Sequence, residues 1–382
     1  MRGEAEELYK EREERIQTAL NLGISDRVPV ICSEYQYAGA YAGVSSKDFM
    51  TDNEKMMMAL EKFHLDFQPD THTRPPLPMS LLTMVIAEPC QVKYPGEGIP
   101  PDSTHQLFET EIMKKEDYEF AYTNGYMQML IKLLPKLRPN IPEVREKFFA
   151  DMESASRMIT SNLERFKEVG IPCFAGGGME SPFGVLSLMR SYTKFCLDLY
   201  RHPDIVARTV EKFTEEIAQL AIASCKLSGI PRALIGLHRE CGSFSTIRHF
   251  EEICFPQIKR LVDLLGKEGI TAILHCDGDW TLNLPYLKEL PKGRCVLELD
   301  ASTDIFKAKE LLGDRMCIDG NLTEVLLSFG TPKKIEEHCK KLIDTVGERG
   351  GFILKGTPPK EAKPENIRAM INTVKTYGVY KA

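Results

Sequence analysis

The sequence predicts an α/β protein built as a closed (β/α)8 TIM barrel, with an N-terminal helical extension and a β-hairpin insertion after the second strand. Three observations predict it. From about residue 171 onward, short apolar runs alternate with helical patterns at regular spacing, which implies parallel strands joined by helices. Six such repeats, together with two earlier apolar runs, reach the eight strands that close a ring. Nearly every run also ends in polar residues: Glu34, Asp70, Glu180, His238 with Glu240, His275 with Asp277, Asp300, Asp319, and Lys355 with Thr357. In a barrel these ends converge on one face, the face on which such folds carry their active sites.

The elements follow in order. Met1 to Arg15 is a charged helical pattern without the apolar core of a signal peptide. The first two strands are Val28 to Cys32 and Leu65 to Pro69. Residues 72–122 are rich in Pro and Gly and hold two strand-like pieces, Cys90 to Tyr94 and Gln106 to Ile112; they form the insertion, a hairpin or lid over one end. His72, beside Arg74, falls in that insertion and reads as a solvated loop residue. The third strand, Ile171 to Phe174, stops at Gly176-Gly177-Gly178. A long helical pattern with Pro203 near a helix start covers 182–227. Strand Arg232 to Glu240 precedes a helix from Ser245 to Gly266. Strand Ala272 to Asp277 is followed by a helix over 281–289, and strand Cys295 to Asp300 by a helix from Ile305 to Leu312. Strand Met316 to Ile318 leads to helices over 323–328 and 332–347. Phe352 to Leu354 is the last strand, and a helix over 364–377 closes the chain. No linker interrupts this pattern, so residues 1–382 read as one domain.

Composition excludes several classes of partner. The chain is 43% hydrophobic and 27% charged, as ordinary globular proteins are. A net charge of −6 offers no attraction to nucleic acid or an anionic membrane surface. No apolar run is long enough to span a bilayer, and the expected location is the cytoplasm. The 11 cysteines are scattered, with no CxxC pair and an odd count, which argues against both a zinc knuckle and a disulfide framework. Most read as small buried apolar residues, and so many thiols suit a reducing, anaerobic cell.

The richest stretch is Ile273-Leu274-His275-Cys276-Asp277-Gly278-Asp279, where a buried strand ends in groups that bind metals or move protons. Glu240 ends the preceding strand and Cys254 lies on the intervening helix. Glu240, Cys254 and His275 together would make an open zinc site with a fourth position for substrate or water. Asp277, two residues past His275 on the same strand face, competes as a ligand. The plainer alternative has Cys254 packed in the core, Glu240 paired with Arg239 or Arg248, and His275 acting only as a proton donor. His238 is either a hydrogen-bonded rim histidine or a further ligand. No phosphate loop and no GxSxG motif occurs.

Several phrases resemble the uroporphyrinogen decarboxylase superfamily: ERIQTALNLGISDRVPV at the start, FEEICFPQIKRLVDLLGKEGITAILHCDGD, IDGNLTEVLLSFGTPKKIEEHCKKLI, and GGFILKGTPPKEAKPENIRAMINTVKTYG. The resemblance implies an eight-stranded α/β barrel. That superfamily divides into porphyrin decarboxylases and cobamide-dependent methyltransferases. The decarboxylases carry an arginine-rich segment after the first strand. Here the corresponding stretch, Ser33-Glu34-Tyr35-Gln36-Tyr37-Ala38-Gly39-Ala40-Tyr41, has no arginine to pair with substrate carboxylates. The thiol-methylating members hold zinc with a His-x-Cys pair and a second Cys near the last strand. Here His275 is followed by Asp277, and Gly356-Thr357 stand near the place of the other Cys.

What remains is similar to the first methyltransferases of anaerobic O-demethylase systems. The resemblance then implies methyl transfer from an aryl methyl ether to the cobalamin of a separate corrinoid carrier protein, with zinc on Glu240, His275 and Cys254 polarising the ether oxygen. Asp277, Asp279 and His238 would move protons or orient the substrate, and Glu34, Tyr35, Tyr37 and Phe183 would line its pocket. The alternatives are a methylcobalamin:tetrahydrofolate methyltransferase, a metal-free decarboxylase or lyase using Asp277 and His275, and a non-catalytic chaperone for a corrinoid protein. A homodimer is compatible with the sequence, which carries no signal for it.

Overall fold

A computed structural model describes residues 2–33 and 35–380. Glu34 and the side chains of Arg2 and Tyr35 lie outside the described residues, and with them the expectations placed on Glu34 and on the Tyr35 ring. The strands are β1 (Val30–Cys32), β2 (Gln91–Lys93), β3 (Gln106–Phe108), β4 (Gly177–Glu180), β5 (Arg232–Leu237), β6 (Thr271–Cys276), β7 (Cys295–Leu299), β8 (Cys317–Leu322) and β9 (Phe352–Gly356). Seven of them form one parallel sheet in the order β1-β9-β8-β7-β6-β5-β4. Residues 70–73 fill the gap between β1 and the run leading into β4. Parallel bridges join Ile31 to Thr71 and His72 to Cys173, and the Thr73 carbonyl accepts the Ala175 N–H at 2.9 Å. With that eighth segment the ring closes. β2 and β3 form the antiparallel hairpin expected within the insertion.

Five expectations about elements differ from the structure. The third strand, expected over Ile171 to Phe174, is instead the regular strand β4 over Gly177–Glu180. The second barrel strand lies at 70–73, because residues 65–67 continue the helix Asn53–Phe67. The apolar spacing there is helical: Phe63 and Phe67, four residues apart, stack with ring centroids at 4.8 Å. His72 therefore belongs to a barrel strand, buried edge-on against Phe166. The pattern over 182–227 is three helices, Pro182–Arg190, Tyr192–Arg201 and Pro203–Ser228, the first break falling at Ser191 with a φ of 65°. Over 281–289 only a short 3-10 turn forms, Tyr286–Glu289, since Pro285 has no N–H with which to continue a helix. Residues 118–168, for which the sequence predicts no element, contribute the helices Tyr126–Leu137 and Val144–Glu168 on the outer layer.

Inside the ring, side chains alternate along each strand as the pleat requires. Ile31, Ile273, Val296, Cys317 and Ile353 make an apolar floor with no solvent exposure, packed against Ile16, Ala19 and Leu20 of the helix Arg2–Leu20. Two residues further along the same strands stand Ser33, His275, Glu298, Asp319 and Lys355. One step up each strand thus converts an oily plug into a layer of charges. All 11 cysteines are free, and all but Cys196 are buried, as small apolar residues would be. No helix among the described residues is long and apolar enough to cross a membrane.

Near the floor end, Asp70 ties the second strand to the first. Its carboxylate accepts from Arg15 Nη1 (2.9 Å), Arg27 Nη2 (2.7 Å) and the Val30 backbone N–H (2.7 Å). Burial alone would raise its pKa, yet the two guanidiniums outweigh that and hold the carboxyl below the usual range. Asp70→Asn is expected to lower stability by about 3–5 kcal/mol, the cost of breaking a buried pair, as read from urea unfolding. Because the folded-state pKa is depressed, the difference from wild type should be full above about pH 4 and shrink as the pH falls through the folded value.

Candidate metal centre at the barrel mouth

β5 ends at Leu237 and β6 at Cys276, and the chain carries His238 and Asp277 just past these ends while His275 still lies in β6. His275 is in register with Gly236 on one side and Glu298 on the other. The glycine is needed for space: a Cβ at 236 would sit 2.3 Å from Glu180 Oε1, so Glu180 reaches across the bare backbone toward His238. Its Oε2 lies 3.0 Å from His238 Nδ1. His275 is held in the same way, with Nδ1 at 2.5 Å from Glu298 Oε1.

With both Nδ1 atoms occupied, both Nε2 atoms are left for the open mouth. They face Asp277: His238 Nε2 is 3.4 Å from Oδ2 and His275 Nε2 is 3.3 Å from Oδ1. The two imidazoles stand edge to face, with centroids 5.4 Å apart. Among the described residues, His238, His275 and Asp277 are the one set of three metal-ligating side chains whose donor atoms all lie within 4.8 Å of one another.

Beneath this set, Lys355 Nζ lies 2.5 Å from the same Glu298 oxygen and 3.9 Å from Asp319 Oδ2. Burial works against the charged form of every member, and the outcome depends on partners. Burial would lower His238, but Glu180 and Asp277 outweigh it and lift it to about 9. His275 is raised as well, burial being outweighed by Glu298 and Asp277. Burial would raise Glu298, but Lys355 and His275 hold it well below the usual carboxylate range. For Asp319 the balance falls the other way: burial, with Glu298 adding to it, outweighs Lys355 and His275 and pushes it up to about 8.

The expected triad of Glu240, Cys254 and His275 is not assembled. Glu240 is buried, accepting from Ser181 Oγ and from the Arg239 backbone N–H, and burial pushes it up to about 7. Cys254 sits in a π-helical turn, Phe250–Cys254, within the hydrophobic core, where burial drives its thiol well above the usual range. Asp279 is an exposed turn residue whose carboxylate accepts the Thr281 N–H. Tyr37 and Phe183, expected along the pocket wall, are enclosed by other rings. Tyr37 packs edge-on to Phe63 and Phe67, and Phe183 edge-on to Phe195, each almost wholly buried. The sequence reading also missed Glu298. An ionisable residue inside the apolar run Cys295–Leu299 was the available signal, because a charge is rarely buried without a partner.

With this geometry in view, the comparisons with known proteins can be placed. The uroporphyrinogen decarboxylase (URO-D) family model matches residues 157–377, more than half of the chain and all of the strands that carry the mouth residues named above. The chain belongs to this enzyme family. Uroporphyrinogen decarboxylase from Methylococcus capsulatus is 26% identical over 195 residues, 48% of this chain and 52% of that protein. The one from Chlorobium luteolum is 24% identical over 284 residues, 68% of this chain and 74% of that protein. The chain thus spans about half the length of the first of these relatives. A methyltransferase from Methanosarcina mazei has the same fold, with a TM-score of 0.67 over 96% of this chain and 98% of its own, at 16% sequence identity.

Glu298→Gln tests the electrostatics of the mouth. In metal-free protein the His275 pKa should fall from its raised value toward or below the ordinary value of about 6.5, as read by NMR titration of the imidazole. The stabilisation that His238 draws from Glu180 has the sign of a raised base. It should be complete below about pH 6.5 and disappear as the pH rises through about 9.

Proposed function

We propose that the protein is a corrinoid-dependent methyltransferase that takes a methyl group from a small aryl methyl ether to the cob(I)alamin of a separate corrinoid carrier protein, with zinc at the barrel mouth. The observation that carries this reading is the convergence of His238 Nε2, His275 Nε2 and the Asp277 carboxylate, each imidazole anchored behind by a buried glutamate. Two imidazoles and a carboxylate suit zinc, and metal-bound histidines characteristically give their second nitrogen to a carboxylate. Tetrahedral bonds of about 2.0–2.2 Å place neighbouring donors about 3.3 Å apart; here His275 Nε2 is 3.3 Å from Asp277 Oδ1 and His238 Nε2 is 3.4 Å from its Oδ2, so closing the set on one oxygen takes a small turn of the carboxylate. When bound, the ion would supply a Lewis acid for the ether oxygen.

The chain's own residues prepare that position. Glu180 and Glu298 fix the ring planes and aim both Nε2 atoms outward. Lys355 balances the charge of Glu298, so the mouth is not left with an unmatched buried carboxylate. In such a transfer the methyl carbon would pass from oxygen to the carrier's cobalt(I), which would supply the electron pair of the new bond; the C–O pair would stay on the phenolate oxygen, and the phenolate would leave through the open mouth. The shared fold with a methyltransferase supports this reading, as does the absence of arginine from residues 33–41, where a polycarboxylate would need bidentate partners. The second reading, a decarboxylase, is favoured by the names of the curated relatives.

Metal analysis and a demethylation assay separate the two. Protein loaded with zinc and dialysed should retain about one ion per chain, and His238→Ala and His275→Ala should lose it. Guaiacol with a cob(I)alamin carrier should yield catechol and methylcobalamin. Zinc-free protein with no methyl transfer would overturn the proposal, and transfer to tetrahydrofolate instead would move it to the acceptor side of such systems. Because both histidines are raised, zinc should displace protons at pH 7 and bind more weakly as the pH falls. Titration calorimetry in two buffers of different ionisation enthalpy reads that release.

A further inference from the structure

Of the three side chains that converge at the mouth, Asp277 is the one the sheet holds least. His275 lies inside β6, and His238, one residue past β5, is braced by Glu180 at 3.0 Å. Asp277 stands one residue past β6, its side chain is 45% exposed, and among the described residues its carboxylate meets the two imidazoles alone. A ligand in such a turn points where its backbone sends it, so whatever fixes the backbone fixes the ligand.

Two side chains from the loop after β7 grip that backbone. The Gly278 N–H donates to Asp300 Oδ2 at 2.9 Å, and the Gly278 carbonyl accepts from Thr303 Oγ1 at 2.9 Å. The Thr303 hydroxyl oxygen also accepts the Trp280 backbone N–H at 2.9 Å, and the Trp280 indole N–H donates to the Asp277 carbonyl at 3.0 Å. Asp300 is itself held: its Oδ1 accepts the Ser302 N–H at 2.7 Å, and its carbonyl accepts from Asn321 Nδ2 of β8 at 3.2 Å. Gly278 has a φ of 80°, and a Cβ there would sit 2.9 Å from Cys241 Sγ, so glycine alone lets the turn pass. Thr303 and Trp280 are buried, where hydrogen bonds escape competition from water.

We propose that Asp300 and Thr303 are positioning residues for the metal centre: they clamp both sides of the Gly278 peptide and so keep the Asp277 carboxylate opposite the two Nε2 atoms, without touching the ion. This rests on the reading of His238, His275 and Asp277 as that centre. Trp280, the single tryptophan of the chain, is part of the clamp, and its indole N–H reports the state of the turn.

Zinc titration of the full chain against a competing chelator tests the clamp apart from any reaction. Thr303→Val keeps the shape and loses the hydroxyl; it should weaken zinc binding by about tenfold to a hundredfold, as the loss of a partner behind a metal ligand does. Thr303→Ser should restore most of that loss. Asp300→Asn, with one acceptor oxygen for two N–H groups, should also bind more weakly than wild type, and it carries the test if Thr303→Val does not fold. The Trp280 indole N–H signal in NMR should move when zinc binds wild type and should differ between metal-free wild type and Thr303→Val. Wild-type affinity in Thr303→Val, or a loss that Thr303→Ser leaves unrepaired, overturns the positioning role, as does an indole signal indifferent to zinc. Wild type that retains no zinc overturns instead the metal reading beneath it.

Discussion

One carboxylate oxygen of Glu298, 2.5 Å from both His275 Nδ1 and Lys355 Nζ, is the contact on which the mouth of this barrel depends. A buried carboxylate is expensive unless it is paired and hydrogen-bonded. Here it has a cation below and an imidazole N–H above, so it stays ionised where Asp319, also buried but 3.9 Å from the same lysine, is driven toward its neutral form. An ionised Glu298 is an acceptor only, so it fixes which nitrogen of His275 carries the proton. The other nitrogen is then free for the open side. Glu180 does the same for His238, helped by the lack of a side chain at Gly236.

The barrel and the position of its mouth were legible in the sequence because alternating strands and helices leave a coarse signature. The apolar runs over 272–277, 295–300 and 352–354 lie within a residue or two of the observed strands. Period-2 alternation explains the floor and the charged layer above it, and it correctly placed His275 and Lys355 at strand ends. It failed where the strand had already stopped. Glu240 was expected to end its strand beside His275, but β5 ends at Leu237 and the chain beyond it no longer alternates. Glu240 turns under Ser181, and the acid that meets His238 comes from the neighbouring strand.

The aromatic expectations failed for a different reason. Tyr37 and Phe183 follow strand ends in sequence, which suggests pocket walls, yet both lie on helices whose apolar faces need large side chains. Burying a ring against other rings is the more common outcome. Cys254 illustrates the same competition: a thiol is a good zinc ligand and also one of the most readily buried side chains, and on a helix beneath the rim the second property wins.

The helix Arg2–Leu20 closes the floor of the ring with Ile16, Ala19 and Leu20. With the floor end packed, the mouth is the doorway that, on the proposed reading, a small aromatic guest and a bulky protein visitor would share. On that reading such a doorway would impose a queue: the guest would enter first, the visitor would then cover the threshold, and the spent ring would depart only after the visitor had withdrawn.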